Sequence, residues 1–145
     1  YVEIQGYSTE VFYSNLAQIP SRSTTIVLDA CFSGATYEGI SPVGISFKSP
    51  VMRLENAVVF TSSTGTQASS WYDEKKHGLF TYMFASGLHK MAADADGDGV
   101  LTIDELHDFI ANGSEGVPYL ARRLHNVDQT PTMISTRKDN VFIKP

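Results

Sequence analysis

The chain has 145 residues, 42% hydrophobic and 19% charged, with Lys+Arg 11 against Asp+Glu 16 and a net charge of −5. A chain of this length buries roughly 68–70% of the surface its unfolded form exposes, so one folded domain is expected, while the mild acidity without a Lys/Arg cluster argues against a phosphate-neutralising nucleic-acid surface. No apolar run reaches the ~20 residues of a membrane-spanning helix, no signal-peptide pattern opens the chain, and the lone Cys31 leaves neither an intrachain disulfide nor a thiolate zinc site.

The chain opens on Tyr1 rather than Met, and the expectation is a piece of a longer polypeptide. Ser8 is placed to cap a helix over 9–19, with Tyr7 and Phe12 as a hydrophobic staple and Val11, Phe12, Leu16 and Ile19 at helical spacing, ended by Pro20. Residues 24–30, Thr-Thr-Ile-Val-Leu-Asp-Ala, form a β-branched run without a turn residue, read as a buried and parallel strand with Cys31 at its C-terminal end. Residues 33–56 carry Gly34, Gly39, Pro42, Gly44 and Pro50 and read as a long loop or hairpin. A second buried strand over 57–62 passes into the polar stretch 63–70. Leu79, Phe80, Met83, Phe84, Gly87, Leu88 and Met91 predict an amphipathic helix over 79–93 that packs on the sheet. Short helices follow at 103–111 and 117–126, and a last strand near 141–143. Strands alternating with helices predict an α/β fold with a mostly parallel sheet, whose ligand sites lie beyond the carboxyl ends of the strands. Cys31 and the 63–70 loop both fall at that edge.

Linking the helices predicted over 79–93 and 103–111, residues 94–105 fit the twelve-residue EF-hand loop. Asp94, Asp96 and Asp98 take positions 1, 3 and 5, Gly99 position 6, the Val100 carbonyl position 7, Thr102 position 9 and Glu105 the bidentate position 12. The four carboxylates at ligand positions, Asp94, Asp96, Asp98 and Glu105, converge and repel one another without a cation, so Ca²⁺ is the candidate ligand, and no organic cofactor is implied. The other reading is a helix-linking turn that holds no ion at physiological calcium, since EF-hands work in pairs and one is present.

Asp29-Ala30-Cys31-Phe32-Ser33-Gly34 presents a thiol at a strand end, followed by a glycine that permits a sharp turn and backbone N–H groups able to meet an oxyanion. By residue type alone Cys31 is either an inert core thiol or a nucleophile. The hexapeptide resembles the nucleophile segment of the caspase-like peptidases, in particular the metacaspases and bacterial caspase-like proteins, whose pattern is Asp-(Ser/Ala)-Cys-(His/Phe)-Ser-Gly. The resemblance continues through Val58-Val59-Phe60-Thr61-Ser62-Ser63, His77-Gly78-Leu79-Phe80-Thr81-Tyr82 and Gln129-Thr130-Pro131, in the family's order and over essentially the whole chain. It implies a caspase-like α/β/α sandwich, incomplete here, with residues 1–145 the C-terminal portion of one peptidase domain.

The same resemblance implies that Cys31 is the nucleophile and that its own N–H contributes to the oxyanion hole. It places Asp29 at the floor of the S1 pocket, and a carboxylate two residues before the nucleophile does point to the same side of a strand, where it can pair with a substrate Arg or Lys. Ser62 and Ser63 join the substrate-binding set. Ser69-Ser70-Trp71-Tyr72 falls where caspases carry Ser-Trp-Arg, which places Trp71 on the S2 side and Tyr72 where the Arg gripping an acidic P1 residue would stand.

The family's catalytic His lies upstream of the Cys, about 50 residues away in caspases, and no His precedes Cys31 here. His77, His89, His107 and His125 read as surface or capping side chains, and none is named as the base. The expected function is a cysteine endopeptidase cleaving after basic P1 residues, inactive without an upstream segment or chain that carries the His. Lys48 and Arg53 are candidate self-processing sites. The rival readings are an inactive caspase-like scaffold and a calcium-responsive interaction module. The expected partners are a peptide or protein substrate and the His-bearing segment, with no nucleic acid and no membrane; the compartment stays open, with a leaning to the cytoplasm.

Overall fold

The computed structural model describes residues 9–30, 52–64 and 67–144. Cys31, Tyr7, Ser8, Lys48 and the loop from 33 to 51 lie outside the described residues. Helix α1 (Thr9–Leu16) leads to β1 (Thr24–Leu28), and β2 (Ala57–Thr61) follows. A small hairpin of β3 (Trp71–Tyr72) and β4 (His77–Gly78) precedes α2 (Leu79–Leu88). Strand β5 (Leu101–Thr102), helices α3 (Ile103–Ile110) and α4 (Val117–His125), and strands β6 (Thr132–Ser135) and β7 (Val141–Ile143) complete the chain. The fold is mixed α/β, and among the described residues no helix is long and apolar enough to cross a membrane.

The main sheet has the order β1-β2-β6. β1 pairs parallel with β2, from Thr24 opposite Ala57 to Leu28 opposite Thr61, and β6 pairs antiparallel with β2, from Val58 opposite Ser135 to Thr61 opposite Thr132. The expected mostly parallel sheet is therefore half parallel among the described strands. The difference arises from β6, which no period-2 hydrophobic pattern announces in Thr132-Met133-Ile134-Ser135.

Central β2 is buried at every residue, as its unbroken apolar run predicts. Its alternate side chains enter two separate cores. Val58 and Phe60 join Leu79, Phe80, Met83, Leu106, Ile110 and Val117 on the face covered by α2, α3 and α4. Ala57 and Val59 join Tyr13, Ile26 and Leu54 on the face covered by α1. Helices thus cover both faces of the sheet. Phe60, Phe84 and Phe142 meet edge-on, with ring centroids 5.4, 5.9 and 6.2 Å apart, and so tie β2, α2 and β7 together. β1, expected to be buried, is so only at Ile26, because α1 covers one of its faces while Val27 on the other is 40% exposed.

Two helices stop short of their predicted ends. α1 ends at Leu16 rather than 19. α2 ends at Leu88 rather than 93, because His89 turns extended and Lys90 and Met91 take positive φ, which no α-helix tolerates. That break turns the chain into the acidic loop.

Tyr13 is fully buried against Ile26, Leu54, Ala57 and Val59, and its hydroxyl has no hydrogen-bond partner among the described residues. Burial also pushes the phenol's pKa up. A buried polar group without a partner costs about 1–3 kcal/mol, so Tyr13→Phe is expected to stabilise the fold by about 1 kcal/mol, seen as a higher urea midpoint at unchanged slope.

Candidate active site and acidic loop

β1 delivers Asp29 and Ala30 to the carboxyl edge of the sheet, and the end of β2 holds them there. The Ser62 N–H donates to the Leu28 carbonyl at 2.9 Å and its hydroxyl to the Ala30 carbonyl at 3.3 Å. Ser63 is buried and spends its hydroxyl on the Gln67 carbonyl at 3.1 Å. Ser62 and Ser63, expected in the substrate-binding set, are buried, and their hydroxyls brace the strand end and the following loop.

The Asp29 carboxylate accepts from the Ser69 hydroxyl at 2.5 Å through Oδ1. Through Oδ2 it accepts from the Thr81 hydroxyl at 2.5 Å and the Thr81 N–H at 3.2 Å. Thr81 stands in the first turn of α2, where backbone N–H groups lack an intrahelical acceptor and the helix dipole favours negative charge. The α2 N-cap, Gly78, has no side chain to offer, so Asp29 caps this helix from another strand. Gly78 itself has φ −59 and ψ 144, a backbone open to any residue. Its glycine is required by space, since a Cβ there would collide with Asp29 Oδ2.

Among the described residues, three hydrogen bonds from neutral donors hold this carboxylate. Among the described residues no Lys, Arg or His forms an ion pair with it. It faces an open cleft of about 440 Å³ lined by Asp29, Ala30, Ser69, Ser70, Trp71, His77, Gly78 and Thr81. An oriented acceptor without a cation of its own is suited to a cationic side chain from outside.

Trp71 stands in the same cleft, 55% exposed. The β3–β4 pairing sets Trp71 opposite Gly78, and the Leu79 N–H donates to the Ser70 carbonyl at 2.9 Å. His125 Nε2 lies 2.6 Å from the Trp71 carbonyl, which only accepts, so the imidazole donates from Nε2. His125, at the end of α4, thus pins the hairpin. That role is invisible in the sequence, where the two residues are 54 apart. His77 lines the cleft, His107 lies 3.7 Å from Asp108, and Arg53 pairs with Glu10 at the turn before β2.

The acidic loop joins the break after α2 to α3. Asp94, Asp96 and Asp98 offer carboxylate oxygens that all lie within 4.8 Å of one another. Asp94 accepts from the Gly97 N–H at 2.9 Å and the Gly99 N–H at 3.0 Å, and both glycines have positive φ, 72° and 81°. Thr102 and Glu105 form a reciprocal capping box on α3, and Glu105 reaches back to the Ala95 N–H at 3.0 Å. The Thr102 hydroxyl and then its N–H hold the Glu105 carboxyl below its ordinary value against the opposing effect of desolvation, and the Ala95 and Asp96 N–H groups add lesser pulls in the same downward direction. β5 pairs antiparallel with β7, which anchors the loop's exit to the C-terminal strand. The all-oxygen, carboxylate-rich donor set fits a hard divalent cation.

Against protein-family models, curated proteins and solved structures, the chain matches none.

Gly78→Ala forces Asp29 off the α2 N-terminus. The expected cost is about 1–3 kcal/mol, the scale of overpacking at a close contact, measured by chemical unfolding. The loss of the Asp29–Thr81 contact is checked by the amide shift of Thr81.

Proposed function

We propose that this chain is the nucleophile-bearing part of a caspase-like cysteine endopeptidase that cleaves after basic residues, within an α/β/α sandwich of that family. The observation that carries the reading is Asp29: a carboxylate two residues before Cys31 in sequence, held by neutral donors and facing a cleft, with no cationic partner among the described residues. Further support comes from helices on both sheet faces and from Trp71 beside the same cleft.

In the proposed reaction a substrate Arg or Lys enters the cleft and pairs with Asp29, which sets the scissile carbonyl beside Cys31. The thiolate sulfur attacks the carbonyl carbon, and backbone N–H groups around Cys31 meet the oxyanion. The tetrahedral adduct collapses with loss of the amine, which takes the proton that the base removed from the thiol. Water then attacks the thioester and releases the acid and the free thiol. The base is a His on an upstream segment or chain.

Asp94, Asp96, Asp98, the Val100 carbonyl, Thr102 and Glu105 are the residues proposed to hold Ca²⁺. Such an ion would neutralise the loop's converging carboxylates and stiffen the junction between α2 and α3.

The test is hydrolysis of matched fluorogenic peptides with P1 Arg or P1 Asp by the chain together with its upstream segment. Cleavage is expected after Arg only and is lost by at least about 10³-fold in Cys31→Ala. Asp29→Asn lowers kcat/KM for the Arg peptide by roughly 10- to 150-fold, the worth of a hydrogen bond to a charged group. No cleavage of either peptide would leave the scaffold reading. A separate melting experiment reads the acidic loop: Ca²⁺ at 100 times its Kd is expected to add about 2.7 kcal/mol, and Asp94→Asn with Asp98→Asn removes that gain. Unchanged melting with Ca²⁺ would make the loop a helix-linking turn only.

A further inference from the structure

Gln129, between α4 and β6, is a fully buried carboxamide, and its polar atoms all reach the segments that seat Asp29. Oε1 accepts from the Ser70 N–H at 2.8 Å, and Nε2 donates to the Ser62 carbonyl at 3.1 Å and the Ser69 hydroxyl at 3.4 Å. The Ser69 oxygen therefore receives a proton from Gln129 and directs its own to Asp29 Oδ1. Gln67 braces the same loop against the next residue, donating to the Thr130 hydroxyl at 3.3 Å and accepting from the Thr130 N–H at 2.7 Å.

Only a carboxamide matches this set. Glutamate of the same shape has no donor for Ser62 or Ser69 when ionised, and methionine has neither donor nor strong acceptor. The Asp29 carboxylate has about four acceptor positions. Thr81 fills two on Oδ2, and Ser69 fills one on Oδ1. The position that no described residue fills is on Oδ1, the oxygen that Ser69 and, behind it, Gln129 hold.

We infer that Gln129 is the positioning residue for cation recognition in this cleft: acting through the Ser69 hydroxyl, it aims the open acceptor position of Asp29 at the basic side chain of a peptide substrate. The inference rests on the reading of Asp29 as a substrate-binding carboxylate. Gln129 touches no substrate, so its influence passes through Ser69, and that coupling is what separates it from a residue that only fills the core.

The experiment is a calorimetric titration of the chain together with its upstream segment. The probe is Nα-acetyl-arginine amide, the control is the uncharged citrulline analogue, and the proteins are wild type, Ser69→Ala, Gln129→Met and the double variant. The wild type binds the arginine probe in preference to citrulline, and each single substitution weakens that binding about tenfold, the scale of one net hydrogen bond. The double variant binds no more weakly than Gln129→Met alone, because both changes remove one pathway. In the peptidase assay the loss falls on KM more than on kcat. Wild-type affinity in Gln129→Met, or a double variant whose losses multiply, overturns the positioning role while leaving the Asp29 reading intact. Equal binding of the arginine and citrulline probes by the wild type overturns the Asp29 reading and this inference with it. Should Gln129→Met fail to unfold cooperatively, Gln129→Asn, which keeps the amide one methylene short, takes its place with the same non-additivity expected.

Discussion

A carboxylate just beyond the end of a strand stays oriented only if other segments bring donors to it, and among the described residues Asp29 draws its donors from two. The Ser69 hydroxyl comes from the loop after β2, and the Thr81 hydroxyl and N–H come from the first turn of α2. The same contact solves a problem for the helix, whose N-cap is a glycine without a capping side chain. The end of β1, the β2 loop and α2 are thus held at one point, and the cleft is what the three elements leave open between them. The arrangement also explains the glycine at 78, where the carboxylate lies in the space that a Cβ would need.

Around this point polar side chains are placed in layers, with Ser62, Ser63 and Gln129 buried and His125 exposed. Ser62 and Ser63 fasten the loop that leaves β2, Gln129 spans from Ser62 to Ser69 and Ser70, and His125 pins the Trp71 carbonyl from the end of α4. Buried polar groups of this kind are tolerated because each has a partner, and a satisfied network specifies one geometry where an apolar core admits several. The hydrophobic side of the same design is β2, whose alternate residues feed both cores, so that α1 and the α2–α4 face are registered to one strand.

The acidic loop is tied to this framework at both ends. It begins where Lys90 and Met91 take positive φ and break α2, and it ends in the capping box of α3 and in the pairing of β5 with β7. Phe142, on β7, packs edge-on against Phe60 and Phe84. The acidic loop is therefore flanked by elements that also pack on β2.

Local rules made much of this chain legible before folding. The unbroken apolar run of 57–61 announces β2, the 3.6-residue spacing of Leu79 to Leu88 announces α2, and Asp94, Asp96, Asp98, Gly99 and Glu105 announce the loop, because each pattern is carried by residues adjacent in sequence. Asp29 stood out for its place beside Cys31. Hidden from sequence were β6, whose Thr132–Ser135 segment is paired by its neighbour rather than by its own pattern, and the short strands β3, β4 and β5, each two residues long. Also hidden were the roles of Gln129 and His125, whose partners lie 54 to 67 residues away. Where apolar faces and acidic side chains fall along the chain follows from local periodicity and spacing, which the order of residues carries on its own. Which donors surround Asp29 follows from the packing, since hydrogen bonds between distant segments exist only once the sheet and helices have come together.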